Sequence, residues 1–147
     1  MAPIDRQEFA AECIKQGNEQ GAWAHYLVAV AELRSKIDDG ETGDKIGPFR
    51  LTQVQWNAHR AADNELGLEA DDIKSWFLQC VLFASWTHNA HRELVTATGE
   101  SPTSKDIYAK QFPDEPVDGF DKALTDTSGL MPAGQTVATS DAPVPSV

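Results

Sequence analysis

Three side chains within "AELRSKI" at residues 31–37 carry groups that do chemistry: the carboxylate of Glu32, the guanidinium of Arg34 and the hydroxyl of Ser35. A carboxyl group set among apolar neighbours keeps its proton and serves as a general acid near neutral pH. A guanidinium in the same place gives up no proton; it binds an anion or locks into an ion pair. Which of the two points inward decides what the segment can do. With about 100° per helical residue and Trp23 as origin, Tyr26, Leu27, Val30, Leu33 and Ile37 gather on one side, and Arg34, at roughly 20°, lies inside that stripe. Glu32 falls at roughly 180°, beside His25 on the opposite, solvated face, where Lys36 at i+4 offers a pairing worth roughly a few tenths of a kcal/mol. The expected geometry has Arg34 inward and Glu32 outward. A buried guanidinium needs a partner, and the loop carboxylates Asp38, Asp39 and Asp44 are the candidates.

The elements that must hold these groups are helical. Asp5 as N-cap with Glu8 three residues on, and Ile4 against Phe9, open a first helix that ends at Gly17. A second runs from about Gly21 to Ile37 and gives way to the polar, glycine-punctuated loop "DDGETGDKIGP". Thr52 and Gln55 make a capping box for a helix that contains Trp56, has Gln53 as its first residue and stops near Gly67. The longest helix is expected from about Ala70 to Ala97, surrounded by the others. Thr103, after Pro102 and before Asp106, starts a short last helix with Ile107, Tyr108 and Phe112. Residues 121–147 hold no aromatic and are rich in Thr, Ser, Ala, Pro and Gly, which predicts a disordered tail. No run alternates with period two for long, so a sheet is limited to a small hairpin within 38–51. The fold class is mainly α, one helical domain over residues 1–120 followed by a flexible low-complexity tail over 121–147.

The succession of "AELRSKI", a polar loop, "IGPFRLTQVQW" and, later, "TGESPTSKDIYAKQF" resembles the lysozyme-like superfamily, in particular soluble lytic transglycosylases and their relatives in phage tails and secretion systems. The resemblance spans roughly residues 20–115. It implies a lysozyme-like, transglycosylase-type domain acting on peptidoglycan glycan strands, with one Glu at the inner end of a buried helix as general acid. In that family this Glu precedes a Ser and an aromatic or apolar residue. Setting Arg34 at the Glu brings Ser35 and Ile37 into pattern; setting Glu32 there puts Ser35 where the apolar residue belongs. The loop length pulls the other way, because Glu32 lies fifteen residues before Gly47, close to the common transglycosylase spacing, and Arg34 thirteen. The family's Gly-Leu-Phe-Gln turn corresponds to "GPFR", so Arg50 replaces its Gln and Pro48 its Leu, with Gln53 one turn on; Tyr108 matches its late Tyr. The resemblance thus implies a cleft bounded by Arg34, Ser35, Arg50, Gln53 and Tyr108, catalytically degenerate and used for glycan binding or as a structural or binding subunit of a phage-like or secretion assembly. The alternative is an active lytic transglycosylase or lysozyme with Glu32 as its catalytic acid.

Charge bears on that choice. Twelve basic against 23 acidic residues give a net charge of −11, which disfavours nucleic acid and anionic membrane surfaces, and fits a wall hydrolase poorly. No stretch is long and uncharged enough to span a bilayer, and the start lacks a basic leader before an apolar run; a cytoplasmic location, or leaderless export with virion association, is expected. Cys13 and Cys80 read as buried reduced thiols, with a single bridge as the other option. Asp38, Asp39, Glu41 and Asp44 lack the ligand spacing of a calcium loop, and His88 and His91 lie three apart with no third ligand marked, so neither a metal nor a cofactor is expected. Trp23, Trp56, Trp76 and Trp86 are mostly core, with room for a sugar-stacking platform among them.

Overall fold

The computed structural model describes residues 2–147. Helix α1 (Arg6–Gln20) begins where the Asp5 carboxylate accepts the backbone N–H of Glu8 at 2.8 Å, but it continues through Gly17 to a left-handed cap at Gly21. Gly17 serves another purpose than termination: a Cβ there would come within 2.6 Å of the Ala22 carbonyl, so only glycine lets the turn fold back onto the helix. Helix α2 (Ala24–Ser35) follows, and every residue from His25 to Ala31 is buried. It stops because Lys36 and Ile37 both adopt left-handed backbone, φ 58° and 57°.

The small hairpin expected in the loop is present: β1 (Glu41–Thr42) and β2 (Lys45–Ile46) pair antiparallel, Glu41 opposite Ile46 and Thr42 opposite Lys45. Helix α3 (Gln53–Ala62) opens with the capping box of Thr52 and Gln55, yet ends at Ala62 rather than near Gly67. Two 3-10 turns, Asn64–Leu66 and Ala70–Lys74, separate it from α4 (Trp76–Thr98). The long helix therefore starts six residues later than its periodicity suggests. Asp72 caps the 69–72 turn reciprocally with Glu69, and Ser75, in extended backbone, then caps α4 by accepting the Leu78 N–H at 3.3 Å. Helix α5 (Ser104–Gln111) starts at the expected Thr103–Asp106 box.

The chain is mainly helical, with six α-helices and one two-stranded sheet among the described residues. The axis of the packing is α2, which touches α1, α4 and α6 (Phe120–Thr127). Around it Tyr26 stacks on Phe83 and on Phe120, Phe83 stacks on Phe49 and Phe112, and Tyr108 meets Phe120 edge to face, making a continuous aromatic core.

The region 121–147 corrects the expectation of a disordered tail. Helix α6 buries Phe120, Ala123, Leu124 and Thr127, and beyond it Met131, Val137 and Val144 are buried. Between these anchors the backbone is tied down: Ser140 N–H donates to Asp121 at 2.6 Å, Lys105 N–H to the Ser140 carbonyl at 3.2 Å, and Val144 N–H to the Pro102 carbonyl at 2.8 Å. Low apolar content rules out an independent core, but a strap needs only a few apolar anchors when an existing core supplies the other surface.

Gly47 has φ 76°, and a Cβ on it would lie 2.3 Å from Gln79, whose buried amide donates to the Ile46 and Ile73 carbonyls and accepts from Phe49 N–H. Gly43 is also left-handed, φ 63°, with nothing near its missing Cβ. Chemical denaturation is expected to show Gly43→Ala costing about 1 kcal/mol for the backbone alone, and Gly47→Ala clearly more.

Candidate functional site

The inner end of α2 is occupied by arginine. The Arg34 side chain is 4% exposed, and its Nε donates to the Phe49 carbonyl at 2.6 Å while Nη2 donates to the Arg50 carbonyl at 2.8 Å. Nη1 donates to the Tyr108 hydroxyl at 3.2 Å and to the Glu115 carboxylate, and the guanidinium carbon sits 3.9 Å over the Phe112 ring. Four of its five N–H donors are thus engaged, by two carbonyls, a phenol and a carboxylate, and an aromatic plane covers one face. Burial pushes the Tyr108 phenol up, against the opposing pull of Arg34.

The ionic partner differs from the loop carboxylates expected. The left-handed pair at Lys36 and Ile37 swings the chain away from Arg34, so Asp38 meets Arg50 instead, at 2.9 Å, and Glu115 from the α5–α6 connection takes its place. Arg50 itself stands in left-handed backbone, φ 50°, with its guanidinium inside the hairpin loop. There Nη1 donates to the carbonyls of Asp38, Gly40 and Gly47 at 2.8, 2.8 and 2.6 Å, and Nε to the Thr42 hydroxyl at 3.1 Å. The Arg50 guanidinium, with the Gly40 and Ala2 N–H groups, holds the Asp38 carboxyl below the usual range despite its burial.

Ser35 joins the two halves: its hydroxyl donates to the Pro48 carbonyl at 2.7 Å and accepts the Asp38 N–H at 3.0 Å. Arg34, Ser35, Arg50 and Tyr108 therefore form one cluster, as the sequence reading groups them. Gln53 does not join it; it is exposed, the first residue of α3, and donates to Asn57 and to the Ala70 carbonyl. Glu32 stands apart as well. Its side chain is 13% exposed and pairs with Arg6 of α1 at 2.8 Å. The expected partner Lys36 has left the helix at its left-handed cap, which breaks i,i+4 geometry, and Arg6 covers the carboxylate that was expected to be solvated.

His25, placed by the helical wheel on the solvated face, is fully buried. The residues that bury it, in α6 and the C-terminal strap, lie in the region read as disordered. The cysteines are buried and unbridged, and burial beside Cys80 pushes the Cys13 thiol up. Among the described residues no three His, Cys, Asp or Glu side chains gather as for a metal ion. Among the described residues no helix is long and apolar enough to cross a membrane.

A groove of about 490 Å³ lies between α3, α4 and α5, none of its lining residues belonging to the arginine cluster. Its walls are α3, through Val54 and Ala58, and α4, through Asn89 and Glu93, with Lys110 of α5 at one end. Trp86 forms part of the floor, with the His59 ring stacked on it at 3.9 Å. Trp86 also packs on Phe112 at 5.4 Å, the ring under Arg34, so the groove and the guanidinium are separated by one aromatic layer. Lys110 and Glu93 pair across the end at 3.1 Å. The chemistry on offer is an aromatic face with amide and charged groups around it, and no free acid.

Comparison with protein-family models, curated proteins and solved structures gives no match to the chain.

Two measurements check this account. Arg34→Lys keeps the charge but cannot serve both carbonyls and Glu115, and is expected to lower stability by about 2 kcal/mol from the acceptors left unpaired. Because the Asp38 carboxyl is lowered in the folded chain, its contribution is present above the ordinary carboxylate range, about pH 4, and is lost as pH falls through the lowered value. Asp38→Asn is expected to flatten the acid limb of a stability–pH curve as well as lowering the plateau.

Proposed function

We propose that this chain is a lysozyme-like domain without glycosidase activity, which binds an N-acetylated glycan strand in the groove between α3, α4 and α5. One observation carries the reading: the inner end of α2, where a transglycosylase keeps its general acid, holds a guanidinium with four of its five N–H donors engaged. Protonating a leaving glycosidic oxygen needs a carboxylic acid kept neutral by its surround. Arg34 cannot supply that proton, and Glu32 is held in an ion pair with Arg6 on another side of the helix. The groove supports the binding half of the reading, since the half-buried His59 ring, backed by Trp86 and edged by Asn89, Gln55 and the Lys110–Glu93 pair, suits a pyranose ring with its hydroxyl and acetamido groups.

A peptidoglycan turbidity assay tests the first half. The wild type is expected to leave the suspension unchanged, Glu32→Gln to behave identically, and Arg34→Glu to gain nothing, because the Phe49 and Arg50 carbonyls then face a carboxylate. Clearing by the wild type that disappears in Glu32→Gln would establish the active alternative. For the second half, calorimetry with chitooligosaccharides is expected to detect weak binding that Val54→Arg abolishes; Val54 is 79% exposed at the groove's edge, so its replacement leaves the core untouched. A folded wild type that ignores the sugar would leave the charge of −11 as the better guide, pointing to a basic protein partner within an assembly.

A further inference from the structure

We propose that His25 is a proton-sensitive latch that holds the C-terminal strap, residues 131–144, against α2 and releases it when the ring takes up a second proton. The geometry defines the state of the ring. Nδ1 accepts the Val137 N–H at 2.8 Å, so it bears a lone pair and no proton. Nε2 therefore carries the hydrogen and donates to the Leu124 carbonyl at 2.9 Å, with the Thr127 hydroxyl oxygen 3.2 Å away. That hydroxyl spends its own proton on the Ala123 carbonyl at 2.7 Å, leaving a lone pair toward the imidazole. One neutral tautomer satisfies all of these partners. A proton on Nδ1 would set two donors against each other at Val137, and the strap is the only one of the contacting segments that can move without dismantling a helix.

Nothing charged is positioned to stabilise the imidazolium. On α6, Lys122 and Asp126 pair with each other at the surface, and Asp121 is taken up by Ser140 of the strap. On α4, His88 is bonded to the Gly21 carbonyl at 3.0 Å, and on α1, Glu12 accepts from Gln16. Burial accordingly lowers the affinity of His25 for a proton, with the Leu124 carbonyl opposing it. Since the docked state binds a proton less readily than the released one, docking is at full strength above the ordinary histidine range, about pH 6.5, and weakens as pH falls below it. The ionisable groups that tie the strap to its neighbours do not titrate in that window: Asp121 of α6 is lowered by its bonds from Ser140 and stays ionised there, and Lys105 of α5 is raised beside Asp141. This inference is independent of the groove and of what it binds.

Hydrogen exchange on the full chain, expressed as protection factors between about pH 7.5 and pH 4.5, is the test. The amides of Val137, Ser140 and Val144 are expected to lose protection by up to about tenfold for each unit by which the ring's affinity is lowered, while α4 amides hold theirs. His25→Gln, which keeps a donor and an acceptor but does not titrate, is expected to remove the pH dependence. Constant strap protection in the wild type, loss shared by α4, or an undiminished loss in His25→Gln would each overturn the proposal. Should His25→Gln fail to fold, the ring nitrogens of the wild type decide by NMR. They should report the Nε2–H tautomer at high pH and a titration coincident with strap opening; a ring that titrates while Val137 stays protected overturns the latch.

Discussion

The structure depends on keeping two guanidinium groups satisfied away from water. Arg34 and Arg50 together engage the carbonyls of Asp38, Gly40, Gly47, Phe49 and Arg50, which are the polar groups of a loop too short and too irregular to pair them within itself. A hairpin of two residues per strand closes only a few of its own bonds. The arginines act as the missing strands. Glu115 and Asp38 supply the counter-charges, and Ser35 links the Pro48 carbonyl to the end of α2, so the loop, the central helix and α5 are one connected unit. Such a network stabilises only when complete, because any member removed leaves buried partners without a mate.

That arrangement bears on what the site can offer a substrate. Catalytic side chains keep a lone pair or a proton available to a substrate. Here the carboxylates are paired internally, Glu115 with Arg34, Asp38 with Arg50 and Glu32 with Arg6, and the Tyr108 hydroxyl oxygen accepts from Arg34. The nearby groove offers an aromatic floor and a polar rim, which need no ionisation.

Much of the local structure was legible in the sequence because it is set by short-range chemistry. The capping boxes at Thr52 and Thr103 and the inward rotation of Arg34 depend on residues within a turn or two. The exit of Lys36 from the helix was not legible: two consecutive non-glycine residues in left-handed backbone carry no compositional mark, and their consequence is that Asp38, Glu115 and Glu32 all find partners other than those in register. The strap was missed for a different reason. Composition measures whether a segment can build a core, and Val137 and Val144 only complete one that α2 and α5 have begun. His25 was misassigned through the same omission, since a helical wheel sees one apolar stripe while α2 is enclosed on several sides.

The bond from Arg34 to the backbone carbonyl of Arg50 has a consequence for how such a chain can change over generations. One arginine holds the peptide group of the other, whose own side chain holds the loop, so a substitution at either position alters the surroundings of both. Positions 34, 38, 50 and 115 form a coupled block: single steps away from it pass through intermediates with stranded charges, and placing an acid at position 34 would require several coordinated replacements at once.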